Sequence, residues 1–358
     1  MVGTSTARFS LSWALLSLAI GMPTWATACS SSSDGTATSQ AGSGNAGGGA
    51  SLAGTSSGGN TAGNGTAGSG GAAGAEALSY APCASDELAG GFRIQLATAY
   101  TGVNGSVRNG TVPSDVPEVV SEEGACRLLA QRVLFCDPTC GASQTCDNDG
   151  TCIAYPTNQQ VGVVTVTGLN GELTMEPGAT GSYTNPAMPA LPHPGFDEGA
   201  AIELSAEGGD LEAFTLRGEG VAALVVSDEP LVATEGEPLP LSWEAGAASD
   251  AVRVSVKIEF NRHGGTPSWV ECDMPDTGSF SVPASIIDAL LGLEISGWPT
   301  LTFTRRSVDS VDLSVGCVEL QVFSQVVREL EVAGVQSCDD DHPCPGDQVC
   351  PVNLICPE

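Results

Sequence analysis

Thirteen cysteines are the residues of this chain best suited to covalent chemistry. Their spacing sorts them into groups. Cys29 stands alone behind an apolar leader. Cys136, Cys140, Cys146 and Cys152 cluster at intervals of 4, 6 and 6, and Cys338, Cys344, Cys350 and Cys356 repeat at 6, 6 and 6. Cys83, Cys126, Cys272 and Cys317 are dispersed. Without Cys29 the count is twelve, an even number suited to disulfides in an oxidising compartment. Neither cluster has the C-x2-C pairs or the Cys/His mixture of a zinc site, so no metal is assigned to them. Short modules rich in Asp, Pro and Gly bury little, and bridges must hold them. Four cysteines allow three connectivities. First-to-third with second-to-fourth is the expected one in each module. Cys272 and Cys317 fall in separate predicted strands and are expected to bridge, which leaves Cys83 and Cys126 to pair.

Other motifs yield less. Asp276-Thr277-Gly278 matches the tripeptide of aspartic proteases, whose chemistry needs two carboxylates sharing a proton. One copy is present, preceded by Pro275, and a turn is the expected role. Gly54-Thr55-Ser56-Ser57-Gly58 matches G-x-S-x-G but lies in low-complexity sequence, without the strand and helix that a nucleophile elbow requires. Asp147-Asn148-Asp149-Gly150 suggests calcium, yet its glycine comes too early for an EF-hand loop and the closing Glu is missing. A tight turn between Cys146 and Cys152 is expected there, and Asp339-Asp340-Asp341 is read in the same way. His193 lies between prolines, His263 precedes Gly264-Gly265 and His342 precedes Pro343, so all three are placed in loops. No catalytic residue and no cofactor is assigned.

The elements that carry these residues read as short strands. Phe92–Leu96 alternates apolar and polar residues. Asn104-Gly105 and Asn109-Gly110 are turn dipeptides. A hairpin is predicted from residues 162–167 through Asn170-Gly171 to 172–175. Further strands are predicted at 201–204, 213–216 and 221–226, with 126–135 read as strand over helix. From residue 229 on, strands at 239–243, 252–260, 269–272, 279–282, 300–304 and 317–322, with one helix at 285–291, suggest an immunoglobulin-like sandwich. Because Trp243 precedes both Cys272 and Cys317, an antibody-type domain is not implied. The fold class is all-β. Residues 78–228 form a β-rich domain containing the 136–152 module, 229–336 the sandwich and 337–358 the C-terminal module.

The N-terminal 77 residues differ in kind. Leu11–Met22 is an apolar run too short to span a bilayer, and it fits the core of a signal peptide. Ala26-Thr27-Ala28-Cys29 follows, then four serines. This block resembles a bacterial lipobox, and with the cysteine modules it resembles exported lipoproteins of myxobacterial type. The resemblance implies a signal peptide at 1–28, a lipid-modified Cys29 as mature N-terminus, and attachment to the outer membrane through that lipid. Simple cleavage after Ala28 to a soluble secreted protein is the alternative. Residues 29–77 hold no lysine, arginine or aromatic residue. Such a Gly/Ser/Ala-rich segment is expected to be a disordered tether with an r.m.s. span of roughly 35–40 Å.

The chain carries 42 acidic against 12 basic residues, a net charge of −30. That balance argues against nucleic-acid partners and against electrostatic attachment to anionic membranes. The sequence as a whole reads as a tethered, non-enzymatic surface lipoprotein binding an extracellular protein or glycan. A secreted hydrolase using acidic residues and a purely structural envelope component are the alternatives. Trp243, Trp269 and Trp298 are the candidate groove aromatics.

Overall fold

Alternating burial runs through almost every strand of this chain, and it builds one large sheet with a wet face and a dry one. The computed structural model describes residues 78–260, 266–293 and 295–357. Cys29, the leader, the tether and His263 lie outside the described residues. The described residues fall in one compact unit.

In chain order, β1 (Leu88–Leu96) and β2 (Thr101–Arg108) form a hairpin, as do β3 (Glu118–Glu123) and β4 (Cys126–Ala130). Short strands follow: β5 (Gln144–Cys146), β6 (Cys152–Ala154) and β7 (Asn158–Gln159). Next come β8 (Val164–Thr167), β9 (Leu173–Met175), β10 (Ser182–Thr184), β11 (Ala201–Ala206) and β12 (Phe214–Glu219). The second half holds β13 (Val232–Ala233), β14 (Leu239–Ser242), β15 (Val252–Glu259), β16 (Ser268–Pro275) and β17 (Ser279–Val282). Helix α1 (Ala284–Leu291) precedes the two longest strands, β18 (Thr300–Leu313) and β19 (Gly316–Glu329), and then β20 (Glu331–Val332).

The large sheet has the order β10-β2-β1-β19-β18-β15-β16-β4-β3, with β7 also paired to β2. Its central contact, β1 with β19, is parallel, and the pairs flanking it are antiparallel. Strands from before and after residue 228 therefore share one sheet, and the predicted boundary at 228/229 does not separate two. What does divide is the core. β12-β11-β8-β9 form a second sheet, and its side chains with those of β1, β2 and the first half of β19 make one apolar cluster. The pair β14-β17 and helix α1 cover the other half, where Val254, Val256, Ile258, Leu301 and Phe303 meet Ile286, Ile287 and Leu290. The protein is thus an all-β sandwich with two cores under one sheet. Between the cores the apolar face carries a polar seam: Arg305, Ser307 and Ser324, all buried.

Most predicted strands form close to their expected bounds, because period-2 alternation reports a half-buried strand directly. Three expectations fail. Asn104-Gly105 is not a turn but lies inside β2, where Gly105 packs against the ring of Phe92 and a Cβ would approach that ring to 2.3 Å. Residues 221–226 form no strand; their backbone crosses the polar seam, and Val226 alone makes a bridge, to Trp243. The pairing of the dispersed cysteines also differs. Cys126 joins Cys272 and Cys83 joins Cys317. Cys272 and Cys317 sit on β16 and β19, with β15 and β18 between them. Three strand spacings are about 14 Å, twice the reach of a disulfide. Cys126 instead lies directly opposite Cys272 on the neighbouring strand. In both modules the first cysteine pairs with the third and the second with the fourth.

Candidate functional site

The wet face of the large sheet holds the best candidate site. On β15, β18 and β19 the residues that alternate with the core are Arg253, Ser255 and Lys257; Thr302, Thr304 and Arg306; Glu319, Gln321 and Gln325. Register places them side by side. Arg306 is opposite both Arg253 and Phe323, Thr304 opposite Ser255 and Gln325, and Thr302 opposite Lys257. Lys257 is in turn opposite Glu271, and Glu271 opposite Arg127 on β4. Together with Arg93 on β1, these side chains line a cavity of about 740 Å³ across six adjacent strands.

A strap formed by residues 80–85 closes one end. Ala81 N donates to Val308 O at 2.9 Å, and the Cys83–Cys317 bridge fixes the strap to the start of β19. The strap delivers Tyr80 into the cleft. Its hydroxyl donates to Asp273 Oδ2 at 2.7 Å, and the guanidinium carbons of Arg253 and Arg306 lie 5.4 and 5.7 Å from its ring centre. Asp273 also accepts from Arg253 Nε, and from Arg306 Nη2 at 3.0 Å. Burial pushes the Tyr80 phenol far up, above the range in which tyrosine normally ionises.

Burial works against the charged form of Asp273, but the hydrogen bonds from Tyr80, Arg253 and Arg306 outweigh it and hold this carboxyl below its usual range. The sign follows. A depressed folded-state value adds stability above the unfolded value, and this is lost as pH falls through the folded one. Asp273→Asn is expected to cost about 1–2 kcal/mol at pH 7, discounted for partial exposure. The gap from the parent should hold at pH 5 and close only below about pH 4. Chemical denaturation across that window measures it, and a gap that already closes between pH 7 and 5 would contradict this assignment.

Aromatic and cationic groups alternate elsewhere on the face. Arg93 lies over Phe323 at 4.8 Å and Lys257 Nζ over Trp269 at 4.9 Å. Trp269 Nε1 donates to Glu271 Oε1 at 2.8 Å, and Lys257 Nζ reaches Glu259 Oε1 at 2.6 Å. Of the three tryptophans singled out from the sequence, Trp269 is the one on the wet face, against Lys257 and Glu271, though it does not line the cavity. Trp243 is buried in the core and Trp298 meets the ring of His342.

The other sequence candidates are accounted for structurally. Asp276 is buried and does not face the cleft. It accepts from Trp243 Nε1 at 2.7 Å, Gly246 N at 3.1 Å and Arg305 Nε at 2.7 Å, and Arg305 also caps the carbonyls of Ala222, Ala223 and Glu244. Gly278 supplies the positive φ of 87° that closes the turn. Asp149 Oδ1 accepts from Thr151 N and Oγ1, which makes residues 147–150 a turn in the β5–β6 hairpin. His193 contacts Thr98 O and Thr101, and His342 contacts Asp339. Sulfur atoms of Cys136, Cys140 and Cys146, and of Cys338, Cys344 and Cys356, lie close enough together to share a metal. Each is consumed in a disulfide, and a metal needs the thiolate. The cleft itself was not singled out from the sequence. Its signal was the basic residue at the polar phase of successive strands.

No protein-family model matches the chain, and no curated protein does. Among the solved structures that the chain resembles is the crystal structure of chicken CNTN1 FN1–FN3 domains, at 9% identity with a TM-score of 0.20. The match covers 62% of this chain and 66% of that one. At that score the likeness assigns this chain neither topology nor ligand. Among the described residues no helix is long and apolar enough to cross a membrane. Six disulfides fit an oxidising compartment outside the cytoplasm.

Proposed function

We propose that this protein is an exported lipoprotein, anchored through Cys29 and carried on the tether of residues 30–77, that binds an extracellular ligand on the wet face of its large sheet without catalysing a reaction. The observation that carries the reading is the cleft itself: one face of the sheet is spent on two cores, while the other presents polar and aromatic side chains across six strands. The carboxylates in the cleft support binding over hydrolysis. Glu271 and Asp273 are committed to nearby donors, and Asp273 is held ionised, the opposite of what a general acid requires.

The test uses the mature full-length protein on arrays of glycans and peptides. Thr304, at the centre of the cleft between Ser255 and Gln325, is replaced by tryptophan, which a strand position accommodates. Binding that Thr304→Trp abolishes, with the disulfides and melting curve unchanged, supports the reading. Absence of any bound ligand, or binding indifferent to this substitution, overturns it. Mass spectrometry of the same preparation should show a diacylglyceryl Cys29 at the mature N-terminus, and a free thiol there would remove the anchor.

A further inference from the structure

We propose that the ligand class of the cleft is a carboxylated polysaccharide, an extended chain of uronic acid units. This rests on the reading of the cleft as a ligand surface.

Charge distribution is the first argument. The chain is strongly acidic, with 42 carboxylate side chains and only 12 lysines and arginines. Yet five of those twelve, Arg93, Arg127, Arg253, Lys257 and Arg306, line this one cavity, against three carboxylates, Glu271, Asp273 and Glu319. The carboxylates do not cancel the cations. Asp273 is shared by two arginines, Glu319 acts on Arg306 and Lys257 is paired with Glu259 outside the lining, so five cations face four carboxylates and one positive charge is in excess. Arg127 stands 4.0 Å from Glu271, and the exposed Arg93 pairs with a ring and with no carboxylate among the described residues. Carboxylates beyond the cleft are screened over about 8–10 Å at ordinary ionic strength, so an anion in the cleft is governed by the local excess.

Shape and hydrogen-bonding chemistry give the second argument. From Arg93 on β1 to Arg127 on β4 the cations cross five strand spacings, roughly 24 Å. That is the footprint of a polymer with spaced charges. Between the cations lie Ser255, Thr302, Thr304, Gln321 and Gln325, short side chains that both donate and accept. Sugar hydroxyls, which both donate and accept at every unit, match partners of this kind, whereas a peptide offers only its backbone N–H and C=O groups between its carboxylates. Duplex nucleic acid, with one charge per about 1.7 Å, would drive phosphates against the carboxylates of the rim.

Calorimetry with the mature full-length protein tests this, with oligogalacturonate, neutral dextran and poly-glutamate as probes. Oligogalacturonate is expected to bind, and its affinity to fall about tenfold or more between 50 and 500 mM NaCl. Arg93→Gln and Lys257→Gln, both outside the core, should each weaken it several-fold, and dextran should give no heat. Equal binding of oligogalacturonate and dextran would overturn the anionic ligand while leaving a glycan-binding cleft. Poly-glutamate bound as tightly as oligogalacturonate would overturn the sugar. No response to oligogalacturonate would overturn the proposal entirely, and the array result with Thr304→Trp then decides the broader reading separately.

Discussion

Replacing Asp276 by alanine is expected to destabilise the folded protein by about 3–5 kcal/mol, the cost of leaving one member of a buried ion pair alone. The side chains of Arg305 and Asp276 are only 2% and 4% exposed, so water cannot replace the missing partner. The guanidinium would keep its carbonyl acceptors but lose its counter-charge, and Trp243 Nε1 and Gly246 N would lose their acceptor as well. Because the pair sits in the polar seam, the damage reaches both cores. Guanidinium denaturation with the disulfides intact measures the loss. Adding Arg305→Met should recover part of it, since a buried pair replaced by apolar groups is often close to neutral. It should not recover all, because the Trp243 and Gly246 donors stay unpaired. A loss below about 1 kcal/mol from Asp276→Ala would show that the seam is hydrated and that the pair is not the buried charge described here. Asp276→Asn should fall between, keeping an acceptor for Trp243 but not the charge.

Removing the Cys83–Cys317 bridge is expected to cost about 2–5 kcal/mol. The bridge spans 234 residues, the longest separation among the six. Chain entropy makes long loops the most stabilising to close, although the Cys126–Cys272 link already shortens the effective loop. The double substitution Cys83→Ala/Cys317→Ala should therefore lower the denaturation midpoint. It should also release the strap. With the Ala81–Val308 hydrogen bond, the bond from the residue 83 amide to Glu319 and the Tyr80 side chain left to hold residues 80–85, limited proteolysis should open a new cleavage site before residue 88, while the large sheet stays intact. If the variant resists proteolysis as the parent does, the strap is held by its side-chain contacts and the bridge adds only entropy. By contrast, each small module keeps one of its two bridges when Cys136–Cys146 or Cys338–Cys350 is broken, but little else holds it: the first has two strands of three residues and the second a single 3-10 turn among the described residues.

Legibility in the sequence tracked the range of the interaction. Alternation at Val252–Glu259 and at 300–304, the hairpin around Asn170-Gly171 and helix α1 could be read because each is decided within about ten residues, whereas the extension of β18 to Leu313 could not. Bridges inside each module match the expected first-to-third and second-to-fourth pairing, although spacing alone leaves three connectivities open. Strand order could not be read. Nothing local says that β19 lies next to β1, over two hundred residues earlier in the chain, and so the partners of Cys83, Cys126, Cys272 and Cys317 could not be found by asking which strands they occupy. The same blindness hid the cleft. Arg253, Arg306 and Arg127 each sit at the polar phase of a strand and look like solvated residues one at a time; only register makes them neighbours. Asp276 was legible as a turn residue but not as a buried one, because its partner Arg305 is 29 residues away. An arginine at a core-phase position of β18, between Phe303 and Ser307, was the available clue.

The Cys83–Cys317 bridge also determines how the molecule carries mechanical load. Tension arriving along the backbone at residue 78 does not first peel an outer strand. It meets the disulfide and is handed to β19, which is flanked by β1 and β18 in the middle of the sheet. Because β1 and β19 run parallel over eight registered pairs and both begin beside the bridge, such a pull loads the two strands from the same end and is resisted by their long antiparallel ladders to β2 and β18. Were the chain suspended from its N-terminal side, as proposed, a ligand on the wet face and that pull would act on the same strands, joined by the covalent link.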